Sequence, residues 1–143
     1  MAANAQRATS SREQESVAPR FPAPANSLAH AAADTATQAA ETAFERRRVE
    51  FEKFFAGRSA DADWTVIDAA ELEIAKTFGP SRRLAELKLW VALSYCVTLG
   101  DHELAIIRAD LSTIGQEDVL AKFVGPSALL IFSAITDLRA EER

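Results

Sequence analysis

Cysteine is almost absent from this 143-residue chain, which holds only Cys96. An intrachain disulfide cannot form, and a zinc site built on several thiolates is excluded. Histidine is nearly as scarce, with only His30 and His102. Glycine and proline number five each, few for the turn-rich chains of sandwiches, barrels or collagen-like repeats. The glycines are scattered singly, so no glycine-rich phosphate loop is present. Long apolar runs are missing too. The longest, Leu89 to Leu99, covers 11 residues and is interrupted by Ser94 and Thr98, whereas a membrane span takes about 20. No membrane span is therefore expected. The start, MAANAQRATSSREQESVAPRF, lacks the continuous apolar stretch of a secretory leader, and Glu13 and Glu15 would interrupt one. A cytoplasmic location is the expectation, and a lone cysteine agrees with a reducing compartment.

An excess of positive charge is also lacking. The net charge is −5, of which −1 falls in residues 1–43 and −4 in the remainder. A nucleic-acid binder needs a basic face to neutralise phosphates, so nucleic acid is not expected as a partner. The densest basic cluster is Arg46-Arg47-Arg48, with Arg82-Arg83 behind it, and each sits among acids. Glu45 and Glu52 lie one helical turn from Arg48, which predicts a solvated, salt-bridged face. A patch for nucleic acid or acidic lipid is the alternative.

What the chain does have is helix formers. Apolar residues make up 48% and charged residues 26%, and Ala, Leu, Glu and Arg are plentiful. Residues 1–26 offer only Val17 and Phe21 as sizeable apolar groups and carry Pro19, Pro22 and Pro24. They read as a disordered tail, and 27–143 reads as a single α-helical domain. From Ser27, the spacing of Ala29, Ala33, Ala36, Ala40 and Phe44, continued by Phe51 and Phe54, gives one helical face that stops at Gly57. The helix is best defined from Thr35 to Ala56. A second helix starts at Asp61 or Asp63, carries Trp64, Ile67, Ile74 and Phe78 on one face, and ends at Gly79-Pro80. A third runs from Pro80 or Ser81 to Gly100. Its faces hold Leu84, Leu87, Val91 and Tyr95, then Leu89, Trp90, Leu93, Cys96 and Val97, so it belongs at the centre of a bundle. Asp101 caps a fourth helix through Leu104, Ile107, Leu111 and Ile114 to Gly115. QEDVLAKFVG, residues 116–125, reads as a short helix, and a last one follows from Pro126 with Ile131, Ile135 and Leu138 on its main face. No long alternation supports a strand. The expected fold is all-α: a helical bundle of about four main helices plus one short helix, with a disordered N-terminal tail.

Residues 60–95, ADADWTVIDAAELEIAKTFGPSRRLAELKLWVALSY, carry Asp63-Trp64, Thr77, Pro80, Leu84, Leu87 and Lys88 in that order. This resembles a pattern in small uncharacterised bacterial α-helical proteins, where a helix with an early acidic-Trp step ends at a Thr-Pro-type break. A Leu/Ala-rich helix carrying a lysine follows it. Phe78-Gly79, between Thr77 and Pro80, departs from the pattern. The resemblance implies helices and brings no activity.

Few residues suggest chemistry. Cys96 lies within the apolar run and is expected to be buried and inert. His102-Glu103-Leu104 resembles the start of the phosphoacceptor box of histidine kinases, which implies phosphotransfer at His102. The box continues Arg-Thr-Pro, whereas this chain has Ala105-Ile106-Ile107, and the residues themselves read as a solvated first-turn histidine. His30 lacks the Lys-Gly step of a phosphotransfer site. Asp68 and Glu71 lie a turn apart without a matching pair elsewhere. No catalytic residue, metal or cofactor is expected, and the chain is not expected to be an enzyme.

The expected role is that of a non-enzymatic protein that binds a protein partner or itself. Phe44, Phe51, Phe54 and Phe55 form the candidate interaction face, within a contact expected over 29–55; a wide core face is the alternative reading of these four rings. A small transcription-associated regulator is another, with a helix-turn-helix within 101–136. That stretch holds only Arg108 and Lys122 as basic residues against five acids.

Overall fold

The computed structural model describes residues 25–97, 102–114 and 125–141. Among them are five α-helices, four of them long, and no strand. The all-α expectation holds. The stretches 1–24 and 116–124, read above as tail and short helix, lie outside the described residues.

Helix α1 spans Ala25–Phe55, roughly 46 Å at 1.5 Å per residue. It begins two residues inside the segment read as a tail. Its halves differ. Residues 27–39 are exposed apart from Ala33, Ala36 and Thr37, which are half-buried, and their charged or titratable side chains are only His30 and Asp34. From Ala40 onward the helix lies on the bundle, with Ala40, Ala43 and Phe44 in the core. Gly57 ends it as expected. The Gly57 N–H donates to the Phe54 carbonyl at 3.1 Å and the Arg58 N–H to that of Lys53 at 3.0 Å, a closing motif that needs a left-handed residue between. Gly57 supplies it at φ 77°, and a Cβ there would meet nothing within 4 Å. Gly57→Ala therefore costs backbone strain alone, and urea denaturation should show a loss of about 1 kcal/mol.

A 3₁₀ turn, Ser59–Asp61, leads to α2, Trp64–Lys76, which folds back along α1 in the most extensive helix pairing of the molecule. Asp63 caps α2 by accepting the Thr65 N–H at 2.9 Å. Glu50 on α1 accepts the Asp63 N–H at 2.8 Å and ties the turn down. Ile67, Ala70 and Ile74 face inward. Phe78, expected on this face, falls beyond the helix end and is 81% exposed, its ring 4.7 Å from the Lys88 ammonium.

Helix α3, Arg82–Cys96, starts at its Ser81 cap and buries Leu84, Glu86, Leu87, Trp90 and Leu93. It is the core helix that its composition predicts. Tyr95 is the exception: it is 72% exposed, because α1, α2 and the last helix cover only part of the circumference. Cys96 is half-buried at the end of α3, less enclosed than its apolar neighbours suggest.

The fourth helix is the main correction. Instead of running from Asp101 to Ile114, α4 is only Glu103–Ile107, and it is the short helix of this bundle. Ala109 adopts φ 54°. Its N–H donates to the Ile106 carbonyl at 3.1 Å, and the Asp110 N–H to that of Ala105 at 2.9 Å. This is the motif of Gly57 with alanine in the left-handed position. Asp110 then accepts the Ser112 N–H at 2.9 Å and opens a 3₁₀ turn, Leu111–Thr113. The break lets Ile106, Ile107 and Ile114 all reach the interior while Leu104 and Leu111 remain half-buried. Burial of three isoleucines outweighs the strain at one alanine. Ala109→Gly should relieve that strain and stabilise the protein by about 0.5–1 kcal/mol in the same assay.

Helix α5, Pro126–Ala140, has proline in its first turn and packs chiefly on α3 through Ala128 and Ile135.

Candidate functional site

The four phenylalanines of α1 do not act together. Phe44 is only 6% exposed and belongs to the core, so it leaves the candidate face. Phe51, Phe54 and Phe55 are half-buried at the C-terminal end of the helix and stand outside the core cluster. The turn at Gly57 brings Trp64 back over them. Ring centroids are 5.9 Å apart for Phe51 and Trp64, 5.5 Å for Phe54 and Trp64, and 5.3 Å for Phe54 and Phe55, all edge-to-face. Phe51 and Phe55 stack at 6.5 Å. Pairs in this range add about 0.5–1.5 kcal/mol each beyond burial. Trp64 remains 48% exposed.

Trp64 is the member that the sequence groups with Ile67 and Ile74 on one face of the second helix rather than with the phenylalanines. A signal for its place exists. It lies seven residues after the reversal at Gly57, and Phe51 lies six before it, so a tight hairpin sets the two side by side.

Beneath the Phe51 ring is Arg47, 1% exposed. Its Nε donates to Glu71 and its Nη2 to Ser94, both at 2.6 Å. Its guanidinium lies 4.7 Å from the Phe51 centroid and 5.9 Å from that of Phe44. The remaining nitrogen, Nη1, is buried without a hydrogen-bond partner among the described residues; the two π faces partly replace that bond. Glu71 also accepts the Tyr95 hydroxyl. That bond, with burial and the Glu71 charge behind it, pushes the phenol up to about 12.

The arginine triplet is therefore not one solvated face. Arg46 pairs with Glu73 and Arg48 with Glu45 and Glu52, as the spacing suggests for Arg48, but Arg47 points inward. Glu71, half of the Asp68/Glu71 carboxylate pair, is committed to Arg47 and Tyr95. No three His, Cys, Asp or Glu side chains gather in metal-ligating geometry among the described residues. His102 sits half-buried at the mouth of α4 and makes no side-chain cap. Its helix has five residues, unlike the long bundle helix that a phosphoacceptor box occupies. No described helix is long and apolar enough to cross a membrane.

Comparison with known protein families, characterised proteins and solved structures finds no match, so the functional reading rests on these residues.

Proposed function

We propose that the chain is a non-enzymatic protein-binding module whose contact surface is the aromatic end of the α1–α2 hairpin: Phe51, Phe54, Phe55 and Trp64. One observation carries this reading. Four rings touch one another outside the core, with the tryptophan half exposed. Aromatic side chains dominate the energetic centres of protein interfaces. Rings that already pack on each other, with Phe51 also over Arg47, are held in place, so a partner orders little on arrival. The occupant is a polypeptide, another protein or a second copy, presenting apolar side chains to the ring faces. A nucleic-acid role is less well supported, because Arg108, one of the two basic residues available within 101–136, is bound to Glu52 at 2.8 Å.

The test is a set of three variants. Trp64→Ser and Phe55→Ser should each cost about 1–3 kcal/mol of stability, since each ring gives up two ring pairs but neither is fully buried. Phe44→Ala should cost about 3–5 kcal/mol. Sedimentation velocity over a wide concentration range reads self-association, and affinity capture compared with wild type reads other partners. The two serine variants should lose association while staying folded. Wild-type behaviour of both in both assays overturns the proposal.

A further inference from the structure

Four arginines from separate segments meet around one cleft, some distance along α1 from the aromatic end: Arg48 on α1, Arg83 on α3, Arg108 after α4 and Arg139 on α5. They are half of the eight arginines among the described residues. The space is about 260 Å³, and the buried side chains of Phe44 and Leu87 form its apolar lining. Only Glu41 and Glu45 line it as acids, so its wall is more positive than negative in a chain of net charge −5.

The guanidinium groups are held by carboxylates without being used up. Glu41, Arg83, Glu86 and Arg139 form one chain of ion pairs, and Glu45, Arg48, Glu52 and Arg108 form another. Each guanidinium has five N–H donors. Arg108 engages only Nε, Arg83 uses Nε and Nη1, and Arg139 uses Nε and Nη2. Both terminal nitrogens of Arg108, Nη2 of Arg83 and Nη1 of Arg139 are left without a partner among the described residues. The strained Ala109 also lines this cleft, and its carbonyl accepts Arg139 Nη2 at 2.8 Å.

We propose that this cleft binds a small organic anion, a phosphate or carboxylate on an apolar body. The oxyanion takes the spare nitrogens of Arg83, Arg108 and Arg139, in the forked geometry at which guanidinium excels. The body rests on Phe44 and Leu87. The volume lies just below the usual range for drug-sized ligands, which points to a molecule of small-metabolite size. Counted with Glu52, Glu86 and the Asp110 carboxylate that also acts on Arg108 and Arg139, the four arginines face five acids, so binding relies on short-range hydrogen bonds and the apolar lining rather than on a long-range field.

The probes are phenyl phosphate, benzoate, inorganic phosphate and benzyl alcohol, followed by calorimetric titration and thermal melting of the full chain at constant ionic strength. Phenyl phosphate or benzoate should bind with a Kd of about 1 mM or tighter, and the stronger of the two identifies the oxyanion. Inorganic phosphate and benzyl alcohol should each bind roughly tenfold more weakly, because each lacks one half of the recognition. Arg108→Gln should weaken the aryl anion about tenfold or more, while Arg46→Gln, outside the cleft, should not. If Arg108→Gln does not fold, backbone amide shifts of the wild type decide: Ala109 and Leu87 should move with phenyl phosphate and stay with benzyl alcohol. No binding by either aryl anion, equal binding by inorganic phosphate, undiminished binding in Arg108→Gln, or shifts confined to other residues overturns the proposal.

Discussion

Arg47→Ala is expected to lower the free energy of unfolding by about 3–5 kcal/mol, whereas Arg46→Ala and Arg48→Ala should each change it by less than about 1 kcal/mol. Three adjacent residues of one type thus differ in kind. Arg46 and Arg48 hold partly exposed ion pairs, which water and salt screen. Arg47 is enclosed, and removing it strands Glu71, whose side chain is only 11% exposed, next to Tyr95 and without its cation. The Phe51 ring also loses the group beneath it. Arg47→Met keeps much of the stem packing and should recover part of the loss. Arg47→Met combined with Glu71→Gln should recover more, since it removes the stranded charge. Urea denaturation of the five proteins at neutral pH checks the series, and equal losses for all three alanine variants would refute the inward role of Arg47.

Glu86→Gln should cost about 3 kcal/mol and should flatten the acid side of the stability profile. Glu86 is a buried carboxylate where α3 meets α5. It accepts from Trp90 Nε1 at 3.0 Å, Arg139 Nε at 2.7 Å and Arg83 Nη1 at 3.0 Å. Burial pushes its carboxyl up, but the three hydrogen bonds and the Arg139 charge outweigh burial and hold it below the ordinary value of 4.5. A carboxyl lowered in the folded state stabilises fully above its unfolded pKa. That contribution fades as the pH falls below about 4.5 and through the folded value. Glu45 and Glu52, lowered by their bonds to Arg48 and Arg108, act in the same direction. Thermal melting between pH 7 and pH 3 should show wild type losing stability more steeply below pH 4.5 than Glu86→Gln. Parallel curves would show that Glu86 is not the titrating group.

Much of the helical order was legible from local chemistry. Gly57, Asp63 and Ser81 each end or start a helix by satisfying terminal backbone groups, and such signals lie in adjacent residues; α2 stops at Lys76, where the Thr77 N–H closes it, ahead of the Gly79-Pro80 break. What was not legible depends on distant partners. Arg47 looks like its neighbours until α2 brings Glu71 and α3 brings Ser94. Ala109 is the strongest of helix formers, and the turn signal beside it, Asp110, is weak alone because aspartate also occurs within helices. Tertiary burial of Ile106, Ile107 and Ile114 decides the matter. Periodicity grouped the four phenylalanines, but the position of α2 along α1 separates Phe44 from the others and adds Trp64. The cleft was invisible for the same reason, since Arg108 and Arg139 meet only after the chain has folded.

The uneven cover of α1 has a consequence in time. A helix of thirteen or so residues standing alone is marginal in water, and the exposed stretch 27–39 has only sparse side-chain contact to hold it. Amide protons there can trade with deuterium through fraying of a turn or two. Those from Ala43 to Lys53 sit beneath α2 and α3 and must wait for a far larger opening. One unbroken rod of hydrogen bonds thus has two lifetimes, with the slow clock starting near Ala40, where the bundle first closes over it.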